Sequence, residues 1–251
     1  MKLLLTLLAV LTSMAANAQA AFEGRIRYVE TMQLSFDLDD QAASLAASLP
    51  KEKKAKRDLW IKEQIACFLQ VKEDKVSEEE ISGDGVRMRF EIKEPEAVIY
   101  TDLESLRQWQ MREFMTRTFL IETKLDQQQW KLTGEQREIL GYNCLKAVRK
   151  VDSTEIIAWF APALPKNAGP DGLGNLPGTI LRAEYQNGER VTEATEVVAM
   201  PVAAEKLVKP NQGKKVTLEA FKQIQAEKMK EMADQYGQPN GKGNVIIRIQ
   251  R

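Results

Sequence analysis

The chain has 251 residues, 36 Lys and Arg against 36 Asp and Glu, two cysteines and no histidine. Zero net charge removes the basic footprint of a nucleic-acid binder, and the missing imidazole removes Ser-His-Asp and Cys-His nucleophiles and every His-ligated metal site. With 43% hydrophobic and 29% charged residues, the chain can bury one sizeable core.

Lys2, an apolar run over residues 3–10 and a small-residue stretch ending in Ala18 read as a secretory signal peptide, with cleavage between Ala18 and Gln19 or after Ala20. Thr12, Ser13 and Asn17 interrupt the run before the roughly 20 apolar residues that a transmembrane helix needs. No later stretch is long and apolar enough to span a bilayer. The expectation is an exported protein, periplasmic or associated with the outer membrane, with residues 19–251 as one β-rich domain.

Residues 22–36 alternate Phe22, Ile26 and Tyr28 with charged neighbours and predict an opening strand. Asp39 and Asp40 then predict the cap of a helix over 41–49. After Pro50 a second, charged helix is expected from about Lys51 to Leu59-Trp60-Ile61, with the cations of 51–57 on a solvated face. From Ile65 the texture becomes strand-like: 65–71, 86–92, 97–103, 107–111, 117–123, 129–133, 142–148, 155–161, 178–185 and 189–198. Asn187-Gly188 is the clearest hairpin signal among them. Short connections without helices predict an antiparallel meander, and so many strands predict strong curvature, a half-barrel or bowl. In the tail, Leu218, Phe221, Ile224, Met229, Met232 and Tyr236 share one helical face behind the cap residue Thr217, and 244–251 predict a last strand able to pair with the sheet edge.

Export would place Cys67 and Cys144 in an oxidising compartment, where they either form a disulfide or remain two separate buried thiols. Neither a CxxC pair nor a histidine is present to build a thiol-redox or metal centre, so no cofactor is expected.

Residues 161–178, APALPKNAGPDGLGNLPG, form a connection unusually long for a segment without its own secondary structure. Its prolines and glycines argue for order, with Pro177-Gly178 fitting a type II turn. A dinucleotide reading of Gly172-x-Gly174 fails because the third small residue is missing and a strand follows instead of a helix. The ordered blocks Trp130-Lys131-Leu132, Leu140-Gly141-Tyr142-Asn143-Cys144-Leu145, Ala158-Trp159-Phe160, Leu164-Pro165, Gly169-Pro170 and Leu176-Pro177-Gly178-Thr179-Ile180-Leu181 resemble the signature of the GLPGLI family of exported bacterial proteins. Asn175 and Thr179 depart from the name motif, at its first Gly and its second Leu. The resemblance implies a curved antiparallel sheet similar to the bowl-like N-terminal domain found ahead of one class of peptide-N-glycosidase. It also implies a gene neighbourhood with TonB-dependent receptors, and it brings no catalytic residues.

Without histidine, catalysis would have to use carboxylates, and no pair stands out by spacing. The expected function is therefore a non-enzymatic envelope binding protein, partnering an outer-membrane receptor through the loop that carries Trp159, Pro165, Gly169, Pro170, Gly174, Leu176, Pro177 and Gly178. A carrier of an apolar small molecule in the sheet concavity is the alternative, and a histidine-independent hydrolase the second alternative.

Overall fold

The computed structural model describes residues 22–37, 50–71, 78–83, 86–91, 96–236 and 246–248. The segment expected to be a signal peptide, with Ala18 and Gln19, and the helix expected over 41–49, lie outside them. The strands in chain order are β1 Gly24–Gln33, β2 Ser35–Asp37, β3 Glu52–Lys62, β4 Ile65–Gln70, β5 Glu78–Gly83, β6 Val86–Glu91, β7 Ala97–Asp102, β8 Arg107–Phe114 and β9 Arg117–Lys124. They continue with β10 Lys131–Ile139, β11 Tyr142–Val151, β12 Thr154–Ala161, β13 Thr179–Tyr185, β14 Arg190–Ala199, β15 Lys214–Val216 and β16 Ile246–Arg248, and one helix, α1, covers Leu218–Tyr236.

Twelve strands form one open sheet in the order β10-β11-β12-β13-β14-β1-β3-β4-β7-β8-β9-β15. Every neighbour pairs antiparallel except β15, which lies parallel to β9. β1 sits in the middle and joins two meanders, pairing with β14 on one side and β3 on the other. β5 with β6 and β16 with β2 make separate two-stranded sheets, so the last strand forms but does not extend the edge of the main sheet.

The chain's own connections bend the sheet. β9 and β10 lie near opposite ends of the strand order, yet only residues 125–130 join them. Such a link reaches at most about 25 Å, so the two ends must curl toward each other. α1 makes the same point: it packs on β9 and its Lys222 Nζ reaches Asp152 Oδ2, in the β11–β12 turn, at 3.1 Å. Bulges at Arg27/Tyr28 and Trp159/Phe160 add local twist where the curl requires it. The result is the predicted half-barrel, unclosed because β10 and β15 do not pair.

The second predicted helix is a strand instead. Residues 52–57 alternate exposed and half-buried positions, Leu59, Trp60 and Ile61 are buried, and β3 pairs with β1 from Glu52 opposite Gln33 to Ile61 opposite Gly24. The run KEKKAKR suits either period because Lys and Arg stems cover apolar surface on either element. β1, which would otherwise stand with an open edge, decides the matter.

Successive residues face opposite sides of the sheet. Ile26, Leu59, Phe68, Ile99, Gln110 and Ile121 stand in one cross-strand row on the inner face. Arg25, Trp60, Cys67, Tyr100, Trp109 and Glu122 form the adjacent row on the outer face. The largest buried cluster gathers around Ile26, Tyr28, Leu59, Ile61 and Phe68. Thr217 Oγ1 accepts the Ala220 N–H at 3.1 Å and caps α1 as expected. Leu218, Phe221 and Ile224 pack against Phe114, Phe119 and Ile121, but Met229 and Met232 remain 49% and 41% exposed. Of the predicted helical stripe, Leu218, Phe221 and Ile224 are core, and Met229 and Met232 are not.

Candidate functional site: the loop inside the bowl

The connection from β12 to β13 turns into the concavity and fills it. Backbone bonds fold it tightly, two of them local, Lys166 N–H to Leu164 O at 2.7 Å and Ala168 N–H to Lys166 O at 2.8 Å, and one closing it on β13, Ile180 N–H to Ala168 O at 2.9 Å. Leu164 and Ala168 enter the central cluster with Ile26 and Phe68, while Leu173 and Leu176 join Phe160, Ile180 and Tyr185. Of the motif residues, Trp159, Gly169, Pro170, Gly174, Leu176 and Gly178 are buried and only Pro165 and Pro177 are exposed. The loop is a plug, and it offers no docking face of the kind the sequence suggested.

Three sets of polar contacts anchor the plug. From β8, Gln108 Nε2 donates to Gly172 O at 3.1 Å and to Thr101 Oγ1 at 3.0 Å. Gln108 Oε1 in turn accepts from Gln110 Nε2 at 2.6 Å, and Gln110 Oε1 accepts from Arg112 Nε at 3.0 Å. From the β9–β10 link, Gln128 Oε1 accepts the Gly174 N–H, and Trp130 Nε1 donates to Gly174 O at 2.8 Å. From the opposite wall, Asp171 Oδ2 accepts from Tyr185 OH at 2.9 Å and from Arg190 NH1 at 3.0 Å, while Arg190 also faces Glu30 Oε2 at 3.5 Å. Satisfied networks of this kind fix one arrangement, because any broken member leaves a buried group unpaired.

The backbone chemistry of the plug is specific. Asn175 has φ +61°, so the left-handed geometry is kept at the motif position where Asn replaces Gly, as Asn tolerates best among non-glycine residues, and its side-chain amide donates to Gln128 O at 2.7 Å. Thr179, the other departure, places its hydroxyl 3.0 Å from both Leu164 O and Lys166 O. The type II turn is corrected. Gly178 N–H bonds Leu176 O at 2.8 Å, a three-residue turn centred on Pro177. Gly178 is needed because a Cβ there would collide with the carbonyl of Ala161.

Cys67 on β4 and Cys144 on β11 are both free and buried, and they belong to different clusters six strands apart in the sheet order. No bridge forms. Burial pushes the Cys67 thiol up to about 12 and the Cys144 thiol up to about 11. Burial likewise holds the Tyr28 and Tyr185 phenols well above 10.0, with the charge of Asp171 adding to both. Burial disfavours the charge on Arg190, but Asp171, Tyr185 and Glu30 more than offset it and raise its proton affinity. Among the described residues no three acidic or cysteine side chains converge to hold a metal ion.

On the outer face the β14–β15 connection, residues 200–213, runs as a strap over the row Trp60, Cys67, Tyr100 and Trp109. Val202 and Leu207 pack against Trp60 and Cys67 beneath it. Val202 N–H bonds Glu23 Oε1 at 2.8 Å, a donor that holds the Glu23 carboxyl below its ordinary range. Lys206 Nζ lies 5.4 Å from the Trp60 ring centre and Lys209 Nζ 3.1 Å from that of Trp109. Nothing in residue type or spacing marked this row, because its members are far apart in sequence and meet only through strand register.

Fold and plug define a β-bowl domain whose concavity is filled by its own loop. A family model described as the N-terminal domain of N-glycanase peptide matches residues 56–223. The chain belongs to that family and is an N-glycanase-related protein. Among solved structures, PNGF-II in space group P21 is similar, with a TM-score of 0.51 and 19% identity over 81% of this chain and 33% of that one. PNGF-II in space group C2 gives a TM-score of 0.49 and 20% identity over 79% and 32%. The chain thus spans about a third of the length of these structures, and the P21 likeness is one of fold. No curated protein matches.

These findings correct the family assignment from GLPGLI to the N-glycanase N-terminal domain. The blocks that carried the resemblance encode the plug and the strands beside it. The partnership with an outer-membrane receptor, inferred from that resemblance, is overturned with it. The apolar carrier goes too, since the plug occupies the space a cargo would need.

Proposed function

We propose that this chain is a glycan-side accessory module that engages N-glycosylated protein and carries no hydrolytic centre of its own. The observation that carries this reading is the match of an N-glycanase N-terminal domain model to residues 56–223, which contain the plug, its anchors and the strap.

The test is to mix the purified protein with a high-mannose glycoprotein and with the same glycoprotein after its glycans have been removed. Retention of the glycosylated form alone, with glycan mass intact after long incubation, is the expected result. Equal retention of both forms overturns the glycan reading, and release of free glycan overturns the accessory role.

A further inference from the structure

The outer-face row offers chemistry that the structural account leaves unused. Tyr100 and Trp109 stand opposite each other on β7 and β8, ring centres 6.0 Å apart, and both remain partly exposed. Around the Trp109 ring are the ion-paired Arg107 and Glu122, with the Arg107 guanidinium 5.5 Å from the ring centre. Asp102 lies near enough to Lys209 to feel its charge. The ring face is covered by the Lys209 ammonium. Lys209 is exposed and belongs to the strap, whose backbone is held by Val202 and Leu207 on the Trp60 and Tyr100 side and by buried Pro210 beside Lys209, so that only the Lys209 side chain covers the ring.

We infer that the Trp109 ring face forms a stacking platform for a pyranose ring of a neutral glycan, with the Tyr100 ring, tilted 59° to it, as a side wall, and that Lys209 is a displaceable lid over it. The electron-rich face of an indole attracts positive charge, whether a whole cation or the partially positive C–H face of a sugar. The ammonium occupies the place the sugar would take. Arg107, Glu122 and Asp102 beside the ring supply donors and acceptors for hydroxyl groups, which an apolar ligand would leave unmatched. Releasing Lys209 into water costs little because a cation–ring contact at an exposed site is weak. The inference rests on the glycan reading above and specifies where on the molecule it is realised.

Calorimetric titration with a free high-mannose N-glycan tests it, using the whole chain and its Trp109→Ala and Lys209→Ala variants. Trp109→Ala is expected to weaken binding at least tenfold. Lys209→Ala is expected to tighten it about two- to fivefold, the worth of an exposed cation–ring contact that no longer competes. Lys209 is on the surface, so that variant decides the question even where Trp109→Ala fails to fold. If both variants bind like the parent, or Lys209→Ala binds no better, the platform is wrong while the glycan reading stands. If the parent itself does not bind the glycan, both fall together.

Discussion

Single side chains in this molecule are held by contacts that make clear demands on substitution. Gly178 lies against the Ala161 carbonyl, so Gly178→Ala must push backbone against backbone, and a loss of about 2–3 kcal/mol is expected in urea unfolding. An unchanged midpoint would show that the β12–β13 neck can widen. Trp159 is buried beneath the Arg137 guanidinium, 4.8 Å from its ring centre, and its indole N–H has no acceptor among the described residues. Trp159→Ala should cost about 3–5 kcal/mol, as for a large core side chain. Trp159→Phe should cost far less, because it also removes an unpaired buried donor. Equal losses for the two would mean that the N–H is satisfied in solution. Cys67 and Cys144 are buried and protonated, so a thiol reagent at pH 8 should label neither in the native protein and both in denaturant.

At the scale of the element, the tight hairpins carry a strain that sequence patterns would have placed elsewhere. The β8–β9 turn has Met115 at φ +47° and Thr116 at φ +63°, a left-handed pair with neither Asn nor Gly. The right-handed twist of the flanking strands imposes this geometry whatever residues occupy it. Replacing Met115-Thr116 with Asn-Gly should therefore stabilise the protein by about 1 kcal/mol, read as a higher urea midpoint at constant slope. A lower midpoint would show that Met115 or Thr116 contributes packing that outweighs the strain. β3 teaches the complementary lesson, because its charged half suits a helix as well as a strand and only pairing along β1 and β4 settles the choice.

The whole molecule is an open half-barrel whose interior is supplied by one of its own connections, and its pH response follows from what that interior buries. Tyr28, Tyr185, Cys67 and Cys144 all keep their protons more tightly in the fold than in the unfolded chain, where thiols titrate near 9.0 and phenols near 10.0. A raised folded value gives stability that is complete below pH 9 and is lost as pH rises through about 11 to 12. Each group lost costs roughly 1.4 kcal/mol per pH unit over its window. The melting temperature should be flat from pH 7 to 8.5 and fall steeply above 9, and in a variant with Tyr100, Tyr142 and Tyr236 replaced by Phe the remaining tyrosinate absorbance should appear together with unfolding. Tyrosinate forming ahead of unfolding would place Tyr28 or Tyr185 in contact with solvent.

The sequence by itself determined the β-rich class, the curvature, most strand positions, the Thr217 cap and the order of the 161–178 loop. Each of these depends on local periodicity or on proline and glycine chemistry that acts within a few residues. Only the tertiary structure decided where the loop goes, because the direction of an ordered connection depends on which face of the sheet lacks cover. Partnership across the sheet likewise separated Cys67 from Cys144, made a strand of 52–62 and left Met229 and Met232 uncovered beyond the sheet. Strand register alone assembled Trp60, Tyr100 and Trp109 into one row under the strap. Contacts of that kind join residues distant in sequence, and no local pattern records them.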